Sequence, residues 1–433
     1  MKKWIYFLAV LLLASCRKEN ATIYFTAEKS TKYFAEVDAF CNNDSGRLWG
    51  KNLYGPLMFI DRPTRKIFAN QPDKEGILKE KDGVFTGVYP KELIINNIAI
   101  EFGGTLFAMA PLPSRELSTE IINRAIHSLF HCYQKVNKLE PGSLNTRHMD
   151  DKNARLWLKL EWRALRIAIN NEGDLRLQAI RDALIFRGAR RELNPQFVRN
   201  ENKFEDYEGL ATLTFLTLCA DTAGELERRL TENLDRSYKL QSYVRNYGYI
   251  HGALYGYLAQ SKGYDFRTFR TDTIDLGKEV KALYNIQLPA ICRDVAGSLA
   301  LSYDIESIYK EEDQRLADIK ERIHKEISIF TEKPVVYLEL ESPYFDFEPE
   351  DIRSLDSLGT VYRAIRVSDN WGKLTVDAGG CLVSYNLKFL RITAKNLKEI
   401  KNHLYGDGWH LMLNSNWEIV KVEQNYFIRK LMP

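Results

Sequence analysis

The run His-Ser-Leu-Phe-His spans His127 to His131, inside a stretch from Ser118 to Val136 whose apolar spacing predicts a helix. On a helix the two imidazoles lie one turn apart and about 40° from each other around the axis, so both can point at one cation. A stable site needs a third ligand. Glu208 is the candidate, because it opens Glu208-Gly209-Leu210-Ala211, a segment that is otherwise apolar and helical, and Gly209 lets a neighbouring backbone approach closely. Two histidines and one carboxylate would leave a fourth position open, as in a catalytic rather than a structural zinc site. A second reading stays open at this point. Glu120, Asn123, Arg124 and Gln134 fall near the same stripe, so the histidines could instead align on a solvated face.

Other residues could support such a centre. Glu161 falls on the apolar side of its helix, among Trp157, Leu158, Leu165 and Ala168. A carboxylate there needs a partner: either it orients a ligand histidine, or it pairs with an arginine such as Arg181 or Arg187. Tyr247, Tyr249 and His251 offer donors to a developing oxyanion. The alternative is aromatic packing around Gly248, Gly252 and Gly256, where helices cross closely. Ser128 has no Gly-x-Ser-x-Gly context, which argues against a nucleophile. Cys132 points about 100° away from His131 and reads as core.

The elements that must carry these residues fall into three stretches. Residues 22–113 are β-rich, with paired strands across Asp61-Arg62-Pro63-Thr64 and across Gly103-Gly104, and a helix near Tyr33 to Phe40. Residues 114–332 carry helical periodicity, ending in a charged helix that is polar on most faces. From residue 333 to 433, short alternating strands separated by Gly, Asn and Asp predict a β-sandwich or barrel. The expected class is α+β: a helical core flanked by two β-rich parts.

The first 16 residues read as a secretory leader. Lys2 and Lys3 precede an apolar run from Trp4 to Ala14, too short to span a bilayer, and Leu13-Ala14-Ser15-Cys16 resembles a bacterial lipobox. Acylation at Cys16 would anchor the remaining chain to a membrane without spanning it, placing the body in the cell envelope outside the cytoplasm. The absence of an aspartate after Cys16 favours the outer membrane. The 61 basic and 58 acidic residues nearly cancel, at a net charge of +3, so no global field points to nucleic acid. Beyond Cys16, five scattered cysteines without a Cys-x-x-Cys pair argue against a zinc-thiolate site and permit at most two disulfides.

The segments HSLFHCYQ, RLWLKLEWRAL, RDALIFRGARREL, YEGLATLTFLTL and YGYIHGALYGYL together resemble a family of bacterial secreted proteins related to the gluzincin zinc metallopeptidases. The resemblance extends from about Leu48 to the C-terminus. It implies a metallopeptidase-like helical core, a zinc ion, and His127, His131 and Glu208 as its ligands. It also exposes a departure. Where gluzincins place a glutamate after the first histidine, this chain has Ser128, which has neither the pKa nor the reach to act as general base. Loss of a general base costs about 10²–10⁴ in rate. Hydrolysis is therefore expected to be weak or absent unless Glu120, Glu205 or a substrate group substitutes, leaving a lipoprotein that binds a peptide or protein. Two alternatives stand beside that expectation: an active metallohydrolase with a displaced base, and a non-catalytic cell-surface scaffold.

Overall fold

A computed structural model describes residues 25–431 except 143, 270–272, 348–351 and 356–357, so Cys16 and its leader lie outside the described residues. Helix α1 (Ala27–Asp44) is longer than the stretch around Tyr33 to Phe40, because Thr26 caps its start and Ser45 ends it in a left-handed conformation. Six strands follow: β1 (Leu57–Ile60), β2 (Lys66–Ala69), β3 (Lys79–Lys81), β4 (Val84–Val88), β5 (Ile98–Phe102) and β6 (Thr105–Pro111). They form one sheet in the order β3-β4-β2-β1-β6-β5, with β1 and β6 parallel and the other pairs antiparallel. Leu-Met-Phe-Ile in β1 is apolar at every position because both faces are covered. Leu57 and Phe59 face the helical core, while Met58 and Ile60 join Ile67, Phe107 and Met109 in a smaller core on the other side.

Ten helices occupy the centre among the described residues: α2 (Ser118–Val136), α3 (Lys152–Ile169), α4 (Gly173–Leu193), α5 (Val198–Phe204), α6 (Leu210–Leu218), α7 (Ala223–Tyr238), α8 (Tyr247–Ser261), α9 (Leu276–Leu283), α10 (Arg293–Leu299) and α11 (Ile305–Thr331). Helix α2 lies against β5 and β6, and α3 packs along α4. One hydrophobic core runs from Phe25 and Phe59 through Phe130, Trp162 and Leu213 to Ile308. The sheet and helices α1 to α10 belong to one compact unit that ends at Tyr309, in the first turns of α11, and residues 310–433 make a second.

In the second unit, a seven-stranded sheet and a six-stranded sheet share one core. Val336, Leu338, Leu390 and Ile392 come from the first, and Val367, Leu374, Trp409 and Leu411 from the other, which is the sandwich arrangement. The chain is therefore α+β, with a helical centre between an N-terminal sheet and a C-terminal pair of sheets. No helix among the described residues is long and apolar enough to cross a membrane.

Candidate metal centre

Helix α2 presents His127 and His131 on a face covered by protein rather than water. Both imidazoles are buried, as are Ser128 and Gln134. The cover comes from a π-helical turn, Glu205–Gly209, inserted between α5 and α6. Such a turn leaves backbone carbonyls out of the regular ladder, and it recurs at functional sites. Here Gln134 satisfies two of them, donating from Nε2 to the carbonyls of Asp206 (3.2 Å) and Tyr207 (3.1 Å). Helix α8 crosses the same turn in backbone contact. A Cβ on Gly209 would stand 2.5 Å from the Gly252 Cα, and one on Gly252 would stand 2.3 Å from the Glu205 carbonyl oxygen, so both positions need glycine.

This packing brings Glu208 to the histidines. Its Oε2 lies 3.1 Å from His127 Nε2 and 3.5 Å from His131 Nε2, and the two nitrogens are 2.9 Å apart. A tetrahedral ion with bonds of about 2.0–2.1 Å separates its ligand atoms by about 3.3 Å. The three observed edges bracket that value, so the group can hold a metal ion.

The hydrogen bonds around the group favour the same conclusion. The Gln134 amide nitrogen faces only carbonyls, so its Oε1 must be the acceptor at 2.7 Å from His131 Nδ1. His131 therefore carries a proton on Nδ1 and turns its Nε2 toward His127 and Glu208. Burial, and then the proximity of His131, push His127 below the usual imidazole range and keep it neutral. Burial opposes the charge on Glu208, but its interactions with His127 and then His131 outweigh it and hold the carboxyl well below the usual carboxylate range. Neutral imidazole and ionised carboxylate are the forms a cation requires. Tyr249 stacks over His127 (ring centroids 5.8 Å apart) and Tyr207 over His131 (4.3 Å), walling the group from solvent.

His127 and Tyr249 open onto a cleft of 840 Å³ between the N-terminal half of α2 and helices α6, α7 and α8. His131 does not line that cleft. A ligand would therefore approach from the His127 side. Asn123, one turn before His127, borders the same space, and its Oδ1 is buried with no hydrogen-bond partner.

The remaining residues singled out in the sequence sit elsewhere. The Ser128 hydroxyl lies 2.8 Å from the Met109 carbonyl and 2.9 Å from Asn97 Oδ1, tying α2 to the sheet. Glu120 pairs with Arg124. Both Glu205 oxygens are held by Arg187, at 3.1 and 2.6 Å. Neither carboxylate belongs to the group formed by His127, His131 and Glu208. Glu161 belongs to a separate buried charge cluster: it accepts from Tyr255 (2.7 Å), lies 3.1 Å from His251, and pairs with Arg190 (3.3 Å) and Arg187 (3.6 Å). It touches neither His127 nor His131, so it does not orient either ligand histidine. Arg181 is half exposed and near Asp182 instead, which removes it as the partner of Glu161. His251 is bonded by Trp162, and the three glycines of α8 abut Phe204, Glu205 and Leu213, so Tyr249 alone of its group reaches the centre. Cys132 is partly buried against the core, and burial pushes its thiol up to about 12.

Sequence reasoning placed Gln134 near the histidine stripe without assigning it a task. The available signal was its position three residues after His131, within reach of that imidazole on a helix. No protein-family model, curated protein or solved structure matches this chain.

Proposed function

We propose that this chain is a zinc-binding, gluzincin-like protein that holds a peptide or protein segment in the cleft beside His127 and hydrolyses it weakly or not at all. The observation that carries the reading is the convergence of two buried imidazoles and one carboxylate on one point, with ligand edges of 2.9, 3.1 and 3.5 Å. Nitrogen and oxygen donors in a three-ligand set suit zinc with an open position. Zinc bound there would act as a Lewis acid toward a carbonyl oxygen.

The case against efficient hydrolysis rests on the residues near that position. Ser128 is buried and bonded to the sheet, and Glu120 and Glu205 are each committed to an arginine. Among the described residues, Glu208 is the carboxylate grouped with the two histidines, and it would itself be a ligand. In this reading Cys16 carries the lipid that holds the protein to the outside of a membrane, as its leader suggests.

The test is zinc content of the purified protein by elemental analysis, beside His127→Ala. Near-stoichiometric zinc in the parent and its loss in the variant are expected. Absence of zinc from both would end the proposal. With zinc established, Ser128→Glu asks whether the missing base is what limits turnover. A rise of about 10²-fold or more in cleavage of casein over the parent is expected. Rapid cleavage by the parent itself would instead identify an active hydrolase with a base of its own.

A further inference from the structure

The cleft beside His127 has a charge that the protein leaves uncompensated. Four arginines line it: Arg124, Arg228, Arg229 and Arg236. Three are neutralised within the fold. Arg124 bonds Glu120 and the Pro111 carbonyl, Arg228 pairs with Glu232 and Glu225, and Arg229 pairs with Glu225. Arg236 is different. Glu232 stands one helical turn before it, where an i, i+4 pair would form, yet that carboxylate turns to Arg228. Asp235, the next acidic neighbour, bonds Arg166. Among the described residues no carboxylate or carbonyl engages the Arg236 guanidinium, which is exposed on the wall of the cleft.

Asn123, which also lines the cleft, has an unpaired group of the other kind. Asn123 Oδ1 is buried without a donor, although buried polar atoms are nearly always paired. A cleft with one unpaired acceptor and one unpaired guanidinium is complementary to a chain that offers an N–H and, further along, a carboxylate.

We infer that the ligand of this cleft is a peptide bearing a carboxylate that Arg236 reads, while its backbone N–H bonds Asn123. The inference rests on the proposed metal site, because the metal fixes where such a peptide is anchored. The carboxylate could be a C-terminus or an acidic side chain, and the same guanidinium would recognise both.

The test uses three metal-anchored probes on the zinc-loaded protein, measured by titration calorimetry. Succinyl hydroxamate coupled to alanine with a free C-terminus carries a terminal carboxylate. The same hydroxamate coupled to aspartate amide carries a side-chain carboxylate, and coupled to alanine amide it is neutral. At least one carboxylate probe should bind about 10-fold or more tightly than the neutral one, because guanidinium–carboxylate bonds are charge-assisted and bidentate. Which of the two does so identifies the source. In Arg236→Gln that ratio should fall to about 1 with the affinity of the neutral probe unchanged, and in the parent it should shrink as salt is raised. Equal binding of all three probes by the parent, or a preference that survives in Arg236→Gln, overturns the inference while leaving the metal site intact. Failure of every hydroxamate to bind zinc-loaded protein would remove the open position beside the metal and overturn this inference, whereas the metal site itself stands or falls on the zinc content.

Discussion

Gln134 links the two halves of the candidate metal centre, and replacing it should separate metal affinity from stability. Its side chain is buried and makes three hydrogen bonds: one accepted from His131 and two donated to carbonyls of the π-helical turn. Gln134→Leu keeps the volume and removes all three. Each buried group left without a partner costs about 1–3 kcal/mol, so a loss of about 3–6 kcal/mol is expected once relaxation is allowed for. The loss of the acceptor also frees His131 to carry its proton on Nε2, in competition with the metal. Removal of such a partner typically weakens metal binding about 10–100-fold. Gln134→Glu discriminates between the two effects: a carboxylate still accepts from His131 Nδ1, but it faces two carbonyls it cannot bond. The expected pattern is a large fall in zinc affinity for Gln134→Leu only, with a fall in unfolding free energy for both. Chelator competition gives the first quantity and urea unfolding without metal gives the second. If Gln134→Leu unfolds more easily but binds zinc as tightly as the parent, the tautomer argument is wrong and Gln134 only caps the turn.

The other predictions address the packing around the centre. Ser128→Ala should lower stability by about 1 kcal/mol in urea unfolding, through loss of its bond to the Met109 carbonyl, and leave zinc affinity unchanged. Gly252→Ala forces a methyl against the Glu205 carbonyl and the Gly209 Cα, both backbone, and should cost about 1–3 kcal/mol or more in the same assay, with weakened zinc binding because Glu208 moves with that turn. Acid should act through the buried charge cluster. Glu161, opposed by burial but stabilised by His251 and Arg190, is held at about 2, and Asp275, likewise opposed by burial but held by Arg187 and Arg191, also at about 2. Depressed carboxyl values contribute stability that is complete above the ordinary range near 4.5 and 3.8 and is lost as pH falls toward 2. Unfolding free energy measured from pH 5 to pH 2 should therefore drop, and less steeply in Glu161→Gln; an unchanged slope in that variant would refute the role given to Glu161.

Some of this site can be read from the chain because helical spacing is local. His127 and His131 declare themselves at i, i+4, and Glu208 stands out as a charge opening an apolar helix. Their burial is not local. Ser118 to Val136 looks equally fit for a solvated face, since Glu120, Asn123 and Arg124 in its first half do border open space. Only the π-helical turn, laid across the second half, buries His131 and Gln134. That turn has no signature of its own in Glu-Asp-Tyr-Glu-Gly. It depends on Gly209 meeting Gly252 and on Gln134 meeting two stray carbonyls, contacts between residues far apart in sequence. The partner of Glu161 shows the same limit from another side. Arg187 and Arg190 lie one turn apart on α4 and both reach Glu161, which depends on how α3 and α4 slide past each other, a register that periodicity leaves free. Short-range pattern thus named the three groups that can hold an ion, while the parts that fix their protonation and direction came from pairings that only the folded chain makes.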